Sequence, residues 1–361
     1  MRKGIIILLL FALFSWNAFA TDQSAEDLFG TNQVQQALPE EAADLMEGRS
    51  VTDTDDFSGS LQGILSGAME QSGGALKSGM SLCLQIFAVV MLSSLLRGSG
   101  GKGAEQPMVL AGTMAIGAIC VSSVSGFFAT AAQTIDSMTA FSGFLFAGLA
   151  SVTAATGAVG TSTTLYGITV LVCGVMAKVV ELLFLPGISC YMALMIANSA
   201  VGDDSLKLAG DTLKQLLSNG LKLAVLVFTA YLSLSGVISG SADSAAVKAA
   251  KLTISTAVPV VGSMIADASE TLLVSAGLLK SGLGVFGLLG VLAVSVVPFL
   301  QTGCQYLLLK GTAAAAGVVG EKELSGLIGA MAGAMGLLTA VTGACTLILM
   351  IGCVCFMKVS I

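Results

Sequence analysis

Two charged pairs are the residues best spaced to do chemistry in this 361-residue chain. Lys178 and Glu181 stand three apart within an apolar run, and Asp267 and Glu270 repeat that spacing ninety residues later. Residues three apart lie near one face of a helix. An ionisable side chain inside a membrane costs at least ~2.5–3.5 kcal/mol, so it usually faces protein interior or water and often marks a substrate or ion route. Lys178 and Glu181 can neutralise each other, which leaves a structural pair and a pathway both open. Asp267 and Glu270 cannot. They need a cation, a proton or a partner such as Lys280, ten residues on, unless water reaches them.

Other chemistry has little to work with. Histidine is absent, which removes the commonest general base and metal ligand. No phosphate-binding G-x-x-x-x-G-K-[ST] loop and no Gly-x-Ser-x-Gly elbow occurs. All eight cysteines lie in apolar stretches and read as small apolar side chains rather than metal ligands or disulfides. No catalytic site, metal site or cofactor is therefore expected.

The elements that must hold these charges are apolar. Hydrophobic residues make up 55% and charged residues 11%, against about 25% charged in a soluble domain. Hydrocarbon must solvate most of the exterior, so a lipid bilayer is the first expected partner. The net charge of −6 is concentrated: residues 21–79 hold 11 acidic and two basic residues, while the remaining body is nearly neutral. A neutral body offers no basic patch for nucleic acid.

The opening MRKGIIILLLFALFSWNAFA combines a basic pair, an apolar run and Ala18-Phe19-Ala20, the pattern of a cleavable signal over residues 1–20. Residues 21–79 then form an acidic, non-cytoplasmic segment. Leu28, Val34, Leu38 and Leu45 suggest one amphipathic helix, and Phe57, Leu61, Ile64, Leu65 and Met69 a second, ended by Gly73-Gly74. This segment could pack on a partner or lie on the membrane surface.

Residues 80–361 read as a multi-spanning membrane domain. Runs of roughly 20 apolar residues are long enough to cross the hydrocarbon. They fall at Met80–Leu96, Met108–Thr130, Thr139–Ala155, Leu165–Leu185, Gly187–Val201 and Leu223–Ile238. Gly284–Leu300, Leu307–Val319 and Leu324–Met357 bring the total to between six and nine. With the mature N-terminus outside, Arg97 and Lys102 fall inside, Ala131–Met138 forms an outer loop, and Lys207, Lys214 and Lys222 fall inside after five crossings. Asp203–Lys222 is amphipathic, and Asp211 can pair with Lys207 or Lys214. It fits an interfacial helix or a connecting helix packed on the spans. Gly236–Gly290, broken by Pro259, is the candidate re-entrant or pore-facing element. The fold class is an all-α polytopic bundle. Gly284, Gly287 and Gly290, with Gly326, Gly329, Gly333 and Gly336, are small faces that let helices approach closely.

The segment Ser235–Leu300 contains the order Ser-Ala-Asp, Lys, Val-Pro-Val-Val-Gly, Asp, Glu-Thr, and resembles stage III sporulation protein AE. The likeness extends back through Leu165–Val201, and the layout of signal, acidic segment and membrane body matches over nearly the whole mature chain, although the exported segment is short for that family. The resemblance implies a multi-pass protein of the mother-cell membrane around the forespore of an endospore-forming bacterium. It implies a core subunit of a transenvelope channel complex that maintains the forespore and supports its late gene expression. Implied partners are other products of the same sporulation operon, including a secretion-type ATPase and a ring-forming subunit, and a forespore-side protein. A homo-oligomer is compatible with this. No catalytic residues come with the resemblance. The competing expectations are a stand-alone secondary transporter, which should show matching broken helices in two halves, and a purely structural scaffold.

Overall fold

The structure is a computed structural model that describes residues 31–46, 57–99, 105–257 and 262–358, with side chains outside the description at 98–99, 105 and 231–276. Among the described residues every regular element is a helix. Two short helices, α1 (Thr31–Gln36) and α2 (Glu40–Leu45), precede six long rods. The rods are α3 (Phe57–Ser99), α4 (Glu105–Ala155), the run α5 (Val159–Val179) to α6 (Leu185–Val201), α7 (Asp204–Ala257), α8 (Gly262–Val319) and α9 (Lys322–Lys358).

Their length follows from composition. Only five prolines occur in the chain, and each of the four described ones sits where a helix tolerates it or yields to it. Pro39 forms the N-cap of α2, with φ −56° and ψ 144°. It also disfavours helical geometry at Leu38, so α1 stops short of it. The single helix expected from Leu28 to Leu45 is therefore two over its described part. Pro107 occupies the first turn of α4, where no N–H partner is lost. Pro186 would clash with the carbonyl four residues back, and the turn just before it, Val180–Phe184, widens to π geometry and lets the rod continue. Pro298 lies inside α8. Pro259 falls outside the described residues.

Three reversals are described, and each uses glycine at positive φ: Gly157 (94°), Gly202 (74°) and Gly320 (96°). After α8, the Gly320 N–H donates to the Gly317 carbonyl and the Glu321 N–H to the Ala316 carbonyl. That double bond pattern closes a helix C-terminus on a left-handed residue. Gly157 repeats it after α4, and Gly202 makes the single-bond version to the Asn198 carbonyl. The Asp203 carboxylate then accepts from the Ser205 N–H and starts α7.

These reversals make the rods run alternately up and down. Arg97 meets Glu321 at one end, and Thr113 bonds to Ser199 there. At the other end Gly352 lies against Phe146 and Thr169, and Gly284 against Met357. The centre belongs to α8 and α9. Two-thirds of the most apolar window of α8 and half of that of α9 are buried, against about a third in α3 and α4. The outer rods turn large apolar side chains outward, including Leu84, Leu95, Leu171 and Leu182.

Five rods are long and apolar enough to cross a membrane over their described parts: Phe57–Arg97, Gln106–Ala155, Val159–Val201, Gly277–Val319 and Lys322–Lys358. Several expected boundaries are corrected. Met108–Thr130 and Thr139–Ala155 are one rod, and the loop expected at Ala131–Met138 is helical. That segment has no glycine or proline, and its Gln133, Thr134 and Ser137 line a cavity described below. Leu165–Leu185 and Gly187–Val201 join through the π turn, and Gly284–Leu300 joins Leu307–Val319. The helix expected from Phe57 runs through Gly73-Gly74 into the first span, so the boundary drawn at residue 79 coincides with no break in α3. The two mergers before Lys207 remove one expected span each, so Lys207 follows three rods rather than five spans, an odd number either way.

Candidate functional site

At the end where α3, α6 and α8 finish, polar groups converge on an otherwise apolar body. Arg97, in the last turn of α3, places Nη2 3.0 Å from Oε2 of Glu321 and 3.8 Å from Oε2 of Glu323. The Glu321 side chain is only 2% exposed and that of Arg97 24%. Gly320 aims Glu321 inward by reversing the chain directly before it. Beside them the Thr113 and Ser199 hydroxyls lie 3.3 Å apart, and the Ser199 hydroxyl reaches the Glu323 carbonyl at 3.5 Å. The cluster ties α3, α4, α6 and the α8–α9 reversal together.

Glu321 was not a sequence candidate, falling between the apolar runs Leu307–Val319 and Leu324–Met357. A signal was nevertheless present. Arg97 is the only arginine after Arg49, and arginine is the cation suited to pairing with a buried carboxylate.

Half-way along the bundle is a second polar region, a cavity of about 270 Å³ between α2, α4 and α8. Glu41, Gln133, Thr134, Ser137 and Gln301 line it, together with Val294 and Pro298. Pro298 has no N–H to give the Val294 carbonyl, which leaves a backbone acceptor at this wall. Thr134 and Thr130 spend their hydroxyls on their own helix, donating to the Thr130 and Gly126 carbonyls. The amides, Ser137 and Glu41 remain to meet a solute, and the volume exceeds that of several waters at roughly 30 Å³ each. Gln133, Thr134 and Ser137, from the segment expected to be an outer loop, thus line this open cavity.

Of the predicted charges, Lys178 and Glu181 do pair, Nζ to Oε2 at 2.8 Å. They sit at the α5–π junction with side chains 71% and 62% exposed, so the pair faces outward and lines no internal path. Asp267 and Glu270 lie on the helical backbone of α8, and their side chains fall outside the described residues. Lys280 is on the same rod and buried, at 6% exposure. The structure does not bring Lys178 or Glu181 together with Lys280. The expected interrupted element at Gly236–Gly290 is helical up to Ala257 and again from Gly262. Asp211 makes no ion pair with Lys207 or Lys214 among the described residues.

The glycine faces divide into those that matter and those that do not. A Cβ added at Gly287 would lie 2.6 Å from Leu145 Cδ1, and one at Gly290 2.6 Å from Phe141 Cζ. Gly326 meets nothing. Cys83, Cys120, Cys173, Cys345 and Cys353 are buried in the apolar core, and among the described residues no group of three potential ligands could hold a metal ion.

Helices this apolar, with this order of rods and reversals, fit the sequence resemblance, and the comparison with known families decides it. The family described as stage III sporulation protein AE matches residues 43–360, nearly the whole chain. The chain belongs to that family. No curated protein and no solved structure matches it. As a member of the stage III sporulation protein AE family, the chain is a sporulation protein, and its apolar rods mark it as a membrane protein of that process.

Proposed function

We propose that this protein is the integral membrane core of a transenvelope complex between mother cell and forespore, needed for forespore maintenance and late gene expression. The observation that carries the reading is rod length. At ~1.5 Å per residue a rod of 37–58 residues extends about 55–87 Å, against ~30 Å of hydrocarbon. Bundled rods of that length support a body that crosses the bilayer and continues beyond it, where envelope partners can dock. The wet cavity half-way down provides a polar surface at such a transition.

The proposed site is the mother-cell membrane around the forespore, with the N-terminal segment on the non-cytoplasmic side. Proposed partners are a secretion-type ATPase and a ring-forming subunit of the same operon, and a forespore-side protein. In this arrangement Asp267 and Glu270, near the start of α8, lie where the passage or a docking surface would be. The transporter alternative expects discontinuous helices in matching halves. Among the described residues the π turn at Val180–Phe184 is the one departure from α geometry within a rod, and it has no counterpart among the described residues of α8 or α9.

The test uses the sporulating host. Asp267→Ala/Glu270→Ala should block late forespore gene expression at least tenfold while protein level and co-purification with operon products stay unchanged. Normal spore yield would refute a role for these charges. A purified chain that alone moves a small solute into liposomes would refute the complex-subunit reading.

A further inference from the structure

A groove of about 820 Å³ opens between α7, α8 and α9, on the side of the bundle away from the wet cavity. Its two ends differ chemically. Lys214, Ser218 and Lys222 occupy one end. Their spacing of four places all three on one face of α7, with the lysine α-carbons about 12 Å apart along the axis. The lining contains no carboxylate, and neither lysine forms an ion pair among the described residues. The Lys214 ammonium rests 5.8 Å from the centre of the Tyr191 ring, and Asp211, one turn earlier on α7, neither pairs with it nor lines the groove.

The other end is hydrocarbon-like. Its walls are Leu226, Phe299 and Leu347, and its floor is cut by glycine. A Cβ at Gly336 would lie 3.2 Å from the Tyr306 ring and one at Gly343 3.2 Å from Phe299, so the rings lie directly on the α9 backbone. From Lys214 to Leu226 the groove runs about 18 Å, comparable with the ~15 Å half-thickness of a bilayer's hydrocarbon.

We infer that this groove binds an anionic phospholipid, its phosphate held by Lys214, Ser218 and Lys222 and an acyl chain laid along Gly336, Gly343 and Phe299. Charge complementarity selects this occupant: two cations without an anion head an apolar slot of acyl-chain length. Basic pockets between membrane helices on the cytoplasmic side recognise lipid head groups in the same way. A packed helix from a second copy would fill the apolar end and leave both ammonium groups unanswered. The inference rests on the membrane embedding of the rods and is independent of the transenvelope role.

Native mass spectrometry of the full chain from detergent micelles, titrated with phosphatidylglycerol or phosphatidylcholine, tests it. Wild type should retain phosphatidylglycerol at least fivefold more than phosphatidylcholine. Lys214→Gln/Lys222→Gln should erase that preference without changing phosphatidylcholine adducts, and Lys214→Arg/Lys222→Arg should preserve it. Equal retention of the two lipids by wild type overturns the inference whether or not any variant folds. So does an undiminished preference in the glutamine variant, or inorganic phosphate displacing the lipid at equal concentration. A dimer cross-linked through Ser218→Cys would assign the groove to a second copy instead.

Discussion

Glu321 is nearly solvent-free and Arg97 answers its charge. Removing one partner of a buried pair strands the other, a loss of about 3–5 kcal/mol, whereas replacing both with apolar groups is often neutral. Arg97→Ala should therefore lower the thermal midpoint of the detergent-solubilised protein strongly, and Arg97→Met/Glu321→Leu should recover most of the loss. The outward pair behaves differently. In water an exposed Lys178–Glu181 bridge is worth about 0–1 kcal/mol, but a lone charge in hydrocarbon costs at least ~2.5 kcal/mol. If lipid surrounds this face, Lys178→Ala should reduce membrane-inserted protein, and Lys178→Ala/Glu181→Ala should restore it. Equal insertion of single and double variants would put the pair in water. Lys178–Glu181 was legible because both charges sit on one helical turn. Arg97–Glu321 was not, since the partners are distant in sequence and only the Gly320 reversal brings them together.

At the scale of elements, packing is set by where side chains are missing. Gly287 and Gly290 give Leu145 and Phe141 the space of a Cβ. Gly287→Leu should separate α4 from α8 and destabilise by roughly 1–3 kcal/mol or more, measured as a fall in thermal midpoint, while Gly326→Ala should have little effect. The periodic glycines were visible in the sequence, but which of them touch a neighbour was not. Helix type was legible throughout; helix ends were not. Ala131–Met138 was expected to be a loop because it separates two apolar runs, and sequence alone cannot tell a break between spans from a polar stretch within one rod. Pro186 suggested a boundary because its clash could be relieved by stopping the helix or by widening one turn, and the chain does the latter. Likewise, Asp267 and Glu270 were singled out as an unneutralised pair, and nothing in their spacing reveals what they face.

For the whole molecule, the six described rods put the start of α3 and the end of α9 toward one end of the bundle and the Arg97–Glu321 cluster at the other. Arg97, Lys207 and Lys322 lie within about two turns of the rod ends that meet there. The short acidic segment packs on α4 and α8 through Val34, Leu38 and Leu45, half-way along those rods. Composition alone reached the membrane class. The length of the rods emerged only when the expected short spans proved to be continuous.

Substituted-cysteine accessibility in intact vegetative cells made to express the chain, with the native cysteines replaced, tests the up-and-down arrangement of long rods most directly. A membrane-impermeant maleimide should label Lys358→Cys from outside, reach Asp203→Cys only after the cytoplasmic face is opened, and leave Ile135→Cys unlabelled. Labelling of Ile135→Cys from outside, or of positions 203 and 358 from the same side, would contradict it.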